Sequence, residues 1–265
     1  MYEFNYHRPS SLDEARGLLE RNGEAMLLAG GMTLLPTMKL RLARPSDLVD
    51  LSRIGELSRI EDEKSFIVIG ATTRHAEVAA SDVIRKRIPA LAELAGHIGD
   101  AQVRNCGTIG GSLANSDPAA DYPAAVLALG AIVSTDRREI PADDYFRGLF
   151  ETALEAVEIV VAVRFPVPKR AAYAKFPNPA SRYAIVGVMV AETGDGIRVA
   201  VTGAGPCAFR VQAFEDALAK EFAPESLEGL TIEPDDLNGD LHASPEYRAH
   251  LVPVMARRAV ARIAR

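Results

Sequence analysis

Thr108-Ile109-Gly110-Gly111-Ser112-Leu113-Ala114-Asn115-Ser116-Asp117-Pro118-Ala119-Ala120-Asp121 is the stretch on which the fold of this chain turns. Paired glycines sit where a backbone must turn tightly or approach a ligand, small residues flank them, and two carboxylates close the far end. The stretch is too polar for a core strand and too apolar for a disordered linker. Ala29-Gly30-Gly31-Met32-Thr33, near the N-terminus, has the same character. The pair predicts two loops that hold one phosphate-bearing cofactor between them.

Working outward, Ser11 with Glu14 three residues later is a capping box and predicts a helix from Leu12 through Arg21, stopped by Asn22-Gly23. Ala25 to Leu28 reads as a short buried strand that runs into Gly30-Gly31. A helix over Thr33 to Leu42 and a strand over Asp47 to Leu51 follow, so the first 55 residues read as β-α-β. Free amides where such a turn enters a helix suit a phosphate. Taken by itself, Gly30-Gly31 reads equally as a plain tight turn.

Ser65 to Ile69 reads as a strand, and Gly70-Ala71-Thr72-Thr73-Arg74-His75 turns it into a helical region that runs to Ile98 and is interrupted by Pro89. A helix over Tyr122 to Leu129 and strands over Ile132 to Thr135 and Ile159 to Phe165 come after the quoted stretch. Pro166-Val167-Pro168-Lys169-Arg170 is the best linker and marks a domain boundary. Beyond it, strands are expected at Ala172 to Phe176, Ala184 to Ala191 and Ile197 to Thr202, the last two joined at Gly194-Asp195-Gly196. Helices from Val211 to Lys220 and from Ser244-Pro245 onward complete the pattern.

Composition narrows the function classes. The chain has 265 residues, enough for two domains, and a formal net charge of −6, which argues against a phosphate-tracking nucleic-acid surface. Two cysteines, Cys106 and Cys207, cannot make a four-thiolate metal or iron–sulfur site. The five histidines show no metal-ligand spacing, so no metal site is expected. With no basic-then-apolar leader and no run of about 18 uncharged apolar residues, a cytoplasmic chain without a transmembrane segment is expected.

Three candidate constellations have plainer readings. Gly203-Ala204-Gly205-Pro206-Cys207-Ala208 matches a dinucleotide fingerprint, but no acidic strand end follows about 20 residues on, and Pro206 removes an amide that a phosphate would need. It reads as a strand-to-helix turn. Asp117 and Asp121 look like an acid–base pair; Asp117 can equally cap the turn before Pro118, and Asp121 can cap the next helix or accept from ribityl hydroxyls. His75 either faces a ligand or simply opens a helix.

The two glycine motifs, in this order, resemble those of the FAD-binding medium subunits of the molybdenum hydroxylases, the family of aerobic carbon monoxide dehydrogenase and xanthine dehydrogenase. Further matches are Phe4-Asn5-Tyr6-His7-Arg8-Pro9, Gly70 to His75, Val103-Arg104-Asn105, Ser181-Arg182-Tyr183-Ala184, Thr202 to Pro206 and Tyr247-Arg248. The resemblance implies an α+β fold: a two-part FAD-binding domain of the vanillyl-alcohol-oxidase (PCMH) type, residues 1–55 and 56–168, then a small α+β domain, 169–265. It implies that backbone amides of Ala29, Gly30, Gly31, Met32 and Thr33, and of Thr108, Gly110, Gly111 and Ser112, wrap the FAD pyrophosphate. Asn115 and Asp121 would lie along its polar chain, Val160 would pack on the ring, and Lys175 and Tyr183 would approach it. Met32 stands where the family commonly carries a polar residue, which leaves only a backbone role there.

By the same resemblance the chain is an electron-transfer subunit with no catalytic acid or nucleophile of its own. Its partners would be an iron–sulfur small subunit and a molybdenum-cofactor large subunit in a dimer of heterotrimers. The alternatives are a stand-alone FAD reductase on the same fold, resembling the cell-wall enolpyruvyl reductase, and a non-catalytic nucleotide-binding assembly protein.

Overall fold

The computed structural model describes residues 1–263. The N-terminal part contains β1 (Asn5–His7), α1 (Leu12–Arg21), β2 (Met26–Leu28), α2 (Leu34–Lys39) and β3 (Asp47–Asp50), with the strands parallel in the order β1-β3-β2. Ser11 caps α1 by accepting from the Glu14 amide at 3.2 Å. Glu14 reaches one residue further back than a capping box requires, to the Ser10 amide at 2.8 Å. β1 is an element that periodicity does not reveal, being three residues long and polar. Side chains hold it to β3: Tyr6 donates to Asp50, and His7 meets Asp47 at 2.7 Å.

The middle part opens with β4 (Ile60–Asp62) and β5 (Phe66–Gly70). The expected long helical region is three short helices, α3 (His75–Ala80), α4 (Asp82–Arg87) and α5 (Pro89–Gly96). Ser81 caps α4, and Pro89 opens α5 at the one position where its missing donor costs nothing. After α6 (Ala101–Cys106), the quoted stretch is not the loop that was expected: Ile109–Asn115 is a helix, α7. Thr108 caps it, Ile109 and Leu113 bury their side chains, and Ser116 ends it in the left-handed region at φ 46°. The two glycines fall in the first turn, where their amides go to Ala71 O and to the Thr108 cap, so their low helix preference weighs little against the burial.

The buried α8 (Tyr122–Ala128) leads through β6 (Ile132–Thr135), β7 (Glu139–Pro141), α9 (Ala142–Tyr145), β8 (Phe146–Gly148) and β9 (Glu151–Thr152) to β10 (Val160–Pro166). The antiparallel sheet runs β4-β5-β10-β6-β7.

β10 ends at Pro166 and β11 (Arg170–Pro177) begins four residues on. With β12 (Ala184–Thr193), β13 (Gly196–Thr202) and β14 (Phe209–Arg210) it forms an antiparallel meander; α10 (Gln212–Lys220) and α11 (Pro245–Ile263) pack on it. Strand alternation divides the meander's side chains. Val186, Val188, Val190, Val199 and Val201 meet Phe214, Val252 and Met255 of the two helices. Tyr173, Met189, Ala191 and Ala200 join the core beneath α7 and α8, so that core crosses the Pro166–Arg170 junction. Among the described residues no helix is long and apolar enough to cross a membrane.

The Tyr173 ring, from β11, lies over Gly187 of β12 only because that residue has no side chain: a Cβ there would fall on the tyrosine hydroxyl and within 2.9 Å of Cζ. Gly187→Ala is therefore expected to lose about 1–3 kcal/mol of stability through overpacking, read as a lower urea midpoint at unchanged slope.

Candidate functional site

Two segments singled out in the sequence lie side by side. Residues 71–75 run antiparallel to 107–110: the His75 amide donates to Gly107 O at 2.9 Å, Ile109 to Thr73 O at 3.1 Å and Gly110 to Ala71 O at 2.8 Å. A Cβ at Gly110 would come within 2.7 Å of Ala71 O, so this glycine serves close packing of α7 on the β5 turn.

The Gly30 turn rests on the end of α6. A Cβ at Gly30 would strike the Cys106 carbonyl and lie 2.6 Å from Gly107 Cα; backbone meets backbone there. Gly31 adopts φ +68°, a conformation natural to glycine. Among the described residues the amides of Gly30, Gly31, Met32 and Thr33 donate to no protein acceptor. Met32 and Thr33 expose their side chains, and Ala29 faces Gly111, whose absent Cβ would stand 3.8 Å from that of Ala29.

The second motif differs from expectation. Its amides at Ile109 and Gly110 are spent on residues 71–73, Gly111 donates to Thr108 Oγ1 at 3.2 Å, and Ser112 donates to Thr108 O at 3.0 Å. The expected two-sided cradle of amides is thus one-sided: the first turn keeps free donors, and the second contributes the bare face of Gly111 and the half-buried Ser112 and Asn115. Unpaired amides facing a surface without side chains suit a pyrophosphate, which needs donors and close approach. The residues present fit FAD on that observation.

The far end of the quoted stretch holds the two halves of the chain together. Pro118 O accepts from the Gly203 amide at 2.7 Å, Ala119 O from the Ala184 amide at 3.2 Å, and Ala120 O from the Thr202 hydroxyl at 2.6 Å. Asp121 is 4% exposed; Tyr173 Oη donates to it at 2.5 Å and Lys175 Nζ at 2.9 Å. Burial pushes the Asp121 carboxyl up, against the pull of Lys175 and the two hydrogen bonds. Asp121 begins α8 but makes no side-chain cap, because its carboxylate is committed across the junction. Asp117 does cap its turn, accepting from the Ala119 amide at 2.9 Å. Gly203 has φ +84°, and a Cβ there would meet Ala184 O and Ile185 O at 2.6 Å. The competing glycine motif is a turn packed against β12.

Among the remaining expected residues, Lys175 shares its charge with Asp121 and also donates to His97 O at 3.3 Å. Val160 is 6% exposed and belongs to the core, beside the register shift in β10. Tyr183 is 44% exposed in the tight Asn178–Tyr183 turn, next to a cavity of about 360 Å³ between Asp117–Ala119 and Asp240–Arg248. A larger cavity of about 1230 Å³, beside Phe4, Met26 and Arg44, contains none of the expected residues. Tyr173 and Gly107 are structural partners that sequence patterns do not single out, and Thr202 enters there only as the first residue of the Gly203 run. Tyr173 lies inside β11 with no local signal, while Thr202 ends β13 and Gly107 precedes the glycine motif.

Known proteins place the chain in a family. Residues 2–168 match the family model described as the FAD binding domain in molybdopterin dehydrogenase. The carbon monoxide dehydrogenase medium chain of Hydrogenophaga pseudoflava is 38% identical, over 97% of this chain and 96% of that protein. The nicotine 6-hydroxylase medium subunit of Paenarthrobacter nicotinovorans is 36% identical, over 96% and 95%. A solved structure of the H. pseudoflava carbon monoxide dehydrogenase superposes with a TM-score of 0.90 at 37% identity, covering 99% of this chain and 98% of that one. The chain belongs to the family of FAD-binding subunits of the molybdenum hydroxylases.

Two measurements probe the site's electrostatics. Lys175→Met strands a buried carboxylate and is expected to cost about 3–5 kcal/mol in urea denaturation, with much of the loss recovered in the Asp121→Asn/Lys175→Met double variant. Burial, with Arg104 nearby, pushes the His75 imidazole down to about 4 from 6.5. The unfolded chain therefore takes up this proton before the folded one does. Full stability is present above pH 6.5 and falls as pH drops toward 4, by up to about 1.4 kcal/mol per unit, a slope that His75→Phe is expected to remove.

Proposed function

We propose that this chain is the electron-transfer subunit of a molybdenum hydroxylase complex in the cytoplasm. It is an FAD-binding oxidoreductase subunit by family. Bound FAD would take up electrons from an iron–sulfur partner subunit, which receives them from a molybdenum-containing one, and release them to a terminal acceptor. The observation that carries the reading is the row of free amides from Gly30 to Thr33 opposite Gly111, on a chain related throughout its length to medium subunits of carbon monoxide dehydrogenase and nicotine 6-hydroxylase.

The protein's own part is to bind and orient. The Gly30–Thr33 amides would hold the pyrophosphate, and Ser112 and Asn115 would offer polar contacts beside it. Asp121, paired with Lys175 in a buried couple of balanced charge, would lie near the polar chain; Lys175 and Tyr183, the latter exposed where β11 turns into β12, would approach the ring. In this reading residues 1–168 hold the cofactor, and residues 169–265 position the turn that carries Tyr183. No side chain of this chain is assigned a proton-transfer or nucleophilic role toward the substrate.

Affinity capture of the full-length chain from its native source tests the proposal. The expected result is a yellow complex with about one FAD per chain and two further subunits, one carrying iron–sulfur clusters and one carrying molybdenum. A colourless chain eluting alone, with no uptake of added FAD, overturns it.

A further inference from the structure

His75 is the residue behind the cradle. It is 5% exposed and opens α3, and its amide donates to Gly107 O at 2.9 Å. Its ring lies against the bare face of Gly107: a Cβ there would stand 2.6 Å from Nε2 and 2.9 Å from Cδ2. Its other side leans on Tyr122, with ring centroids 5.3 Å apart at 50°. Gly107 Cα is in turn one of the atoms on which Gly30 rests. Tyr122, His75, Gly107 and Gly30 thus form a stack in which the two members on the cradle side, Gly107 and Gly30, have no side chain to yield.

The ring is held here at a cost. Nδ1 of His75 is buried without a partner, and so is the hydroxyl of Tyr122. Orphaned polar atoms of this kind destabilise a core, and apolar rings would avoid the cost. Such costs persist where a site needs a particular shape.

We propose that His75 is a positioning residue for FAD: its ring, seated between Tyr122 and Gly107, sets how closely the Cys106–Thr108 turn approaches Gly30. It thereby sets how far the free amides of residues 30–33 stand from Gly111 and Ser112. The proposal rests on the FAD reading above. It also fixes the size of the group at position 75, because anything smaller lets the turn sink and widens the cradle.

FAD titration of the full-length chain, followed by flavin fluorescence, tests it with His75→Ala, Gly107→Ala and the double variant. Each single change is expected to weaken binding about tenfold. The double variant is expected to bind more tightly than Gly107→Ala alone, since removing the ring makes room for the added methyl. His75→Ala within twofold of wild type, or a double variant no better than Gly107→Ala, overturns the proposal. Should the variants fail to fold, the wild-type ring resonance of His75 in histidine-labelled protein is expected to move when FAD is added. A resonance that stays still overturns it. Failure of wild type itself to take up FAD overturns the functional reading instead, and is distinguished by that.

Discussion

The contact of Gly30 with the Cys106–Gly107 backbone is the constraint on which this structure depends. Two segments far apart in sequence meet there with no side chain between them. Steric exclusion, rather than a strong bond, makes the contact specific, since any residue but glycine at position 30 would collide with a carbonyl. The consequence is that backbone bare of side chains lies on both sides of the contact. One side has its amides unpaired, while the other has spent them in bracing α7 against the β5 turn. A rigid wall and a donating wall are complementary requirements for gripping a phosphate group, and one glycine contact keeps them at a fixed spacing.

The second organising element is the segment from Pro118 to Asp121, which ties the two parts of the chain together. Donors within β11 and at the ends of β12 and β13 converge on it, and the core beneath α8 continues into the meander. The two parts of the chain are consequently joined by hydrogen bonds with buried partners as well as by apolar surface. Movement of the C-terminal part would expose a charged pair and several carbonyls together. The position of Tyr183 is therefore coupled to the same loop whose other end is α7.

Much of this was legible in the sequence. The α1 boundary could be read from Ser11 and Asn22, and the hairpin from Gly194-Asp195-Gly196. The strong β-branched runs of β5, β10 and β12 were equally plain, because each rests on local propensity or period. The two glycine motifs do lie close together, meeting through backbone at Gly30 and Gly107 and through Ala29 against the bare face of Gly111. What local pattern could not show was the destination of each amide. Thr108-Ile109-Gly110-Gly111 looks like a phosphate loop because it is short of side chains, and it becomes a helix because Thr108 caps it and Ala71 packs into the gap at Gly110. Asp121 looked free for a ligand, and its commitment to Tyr173 and Lys175, more than fifty residues away, is a tertiary fact. β1 was invisible for the opposite reason, since three polar residues carry no periodic signal.

The grip on residues 118–120 is made through their carbonyl oxygens, a group that every amino acid possesses. The side chains at Pro118, Ala119 and Ala120 can therefore drift between related proteins without loosening the junction, within the limits of space. The burden falls on the other partner, where Thr202 must keep a hydroxyl and Gly203 must keep its backbone conformation. Coevolution across this junction should accordingly be lopsided, with one side recording selection and the other leaving almost no trace of it.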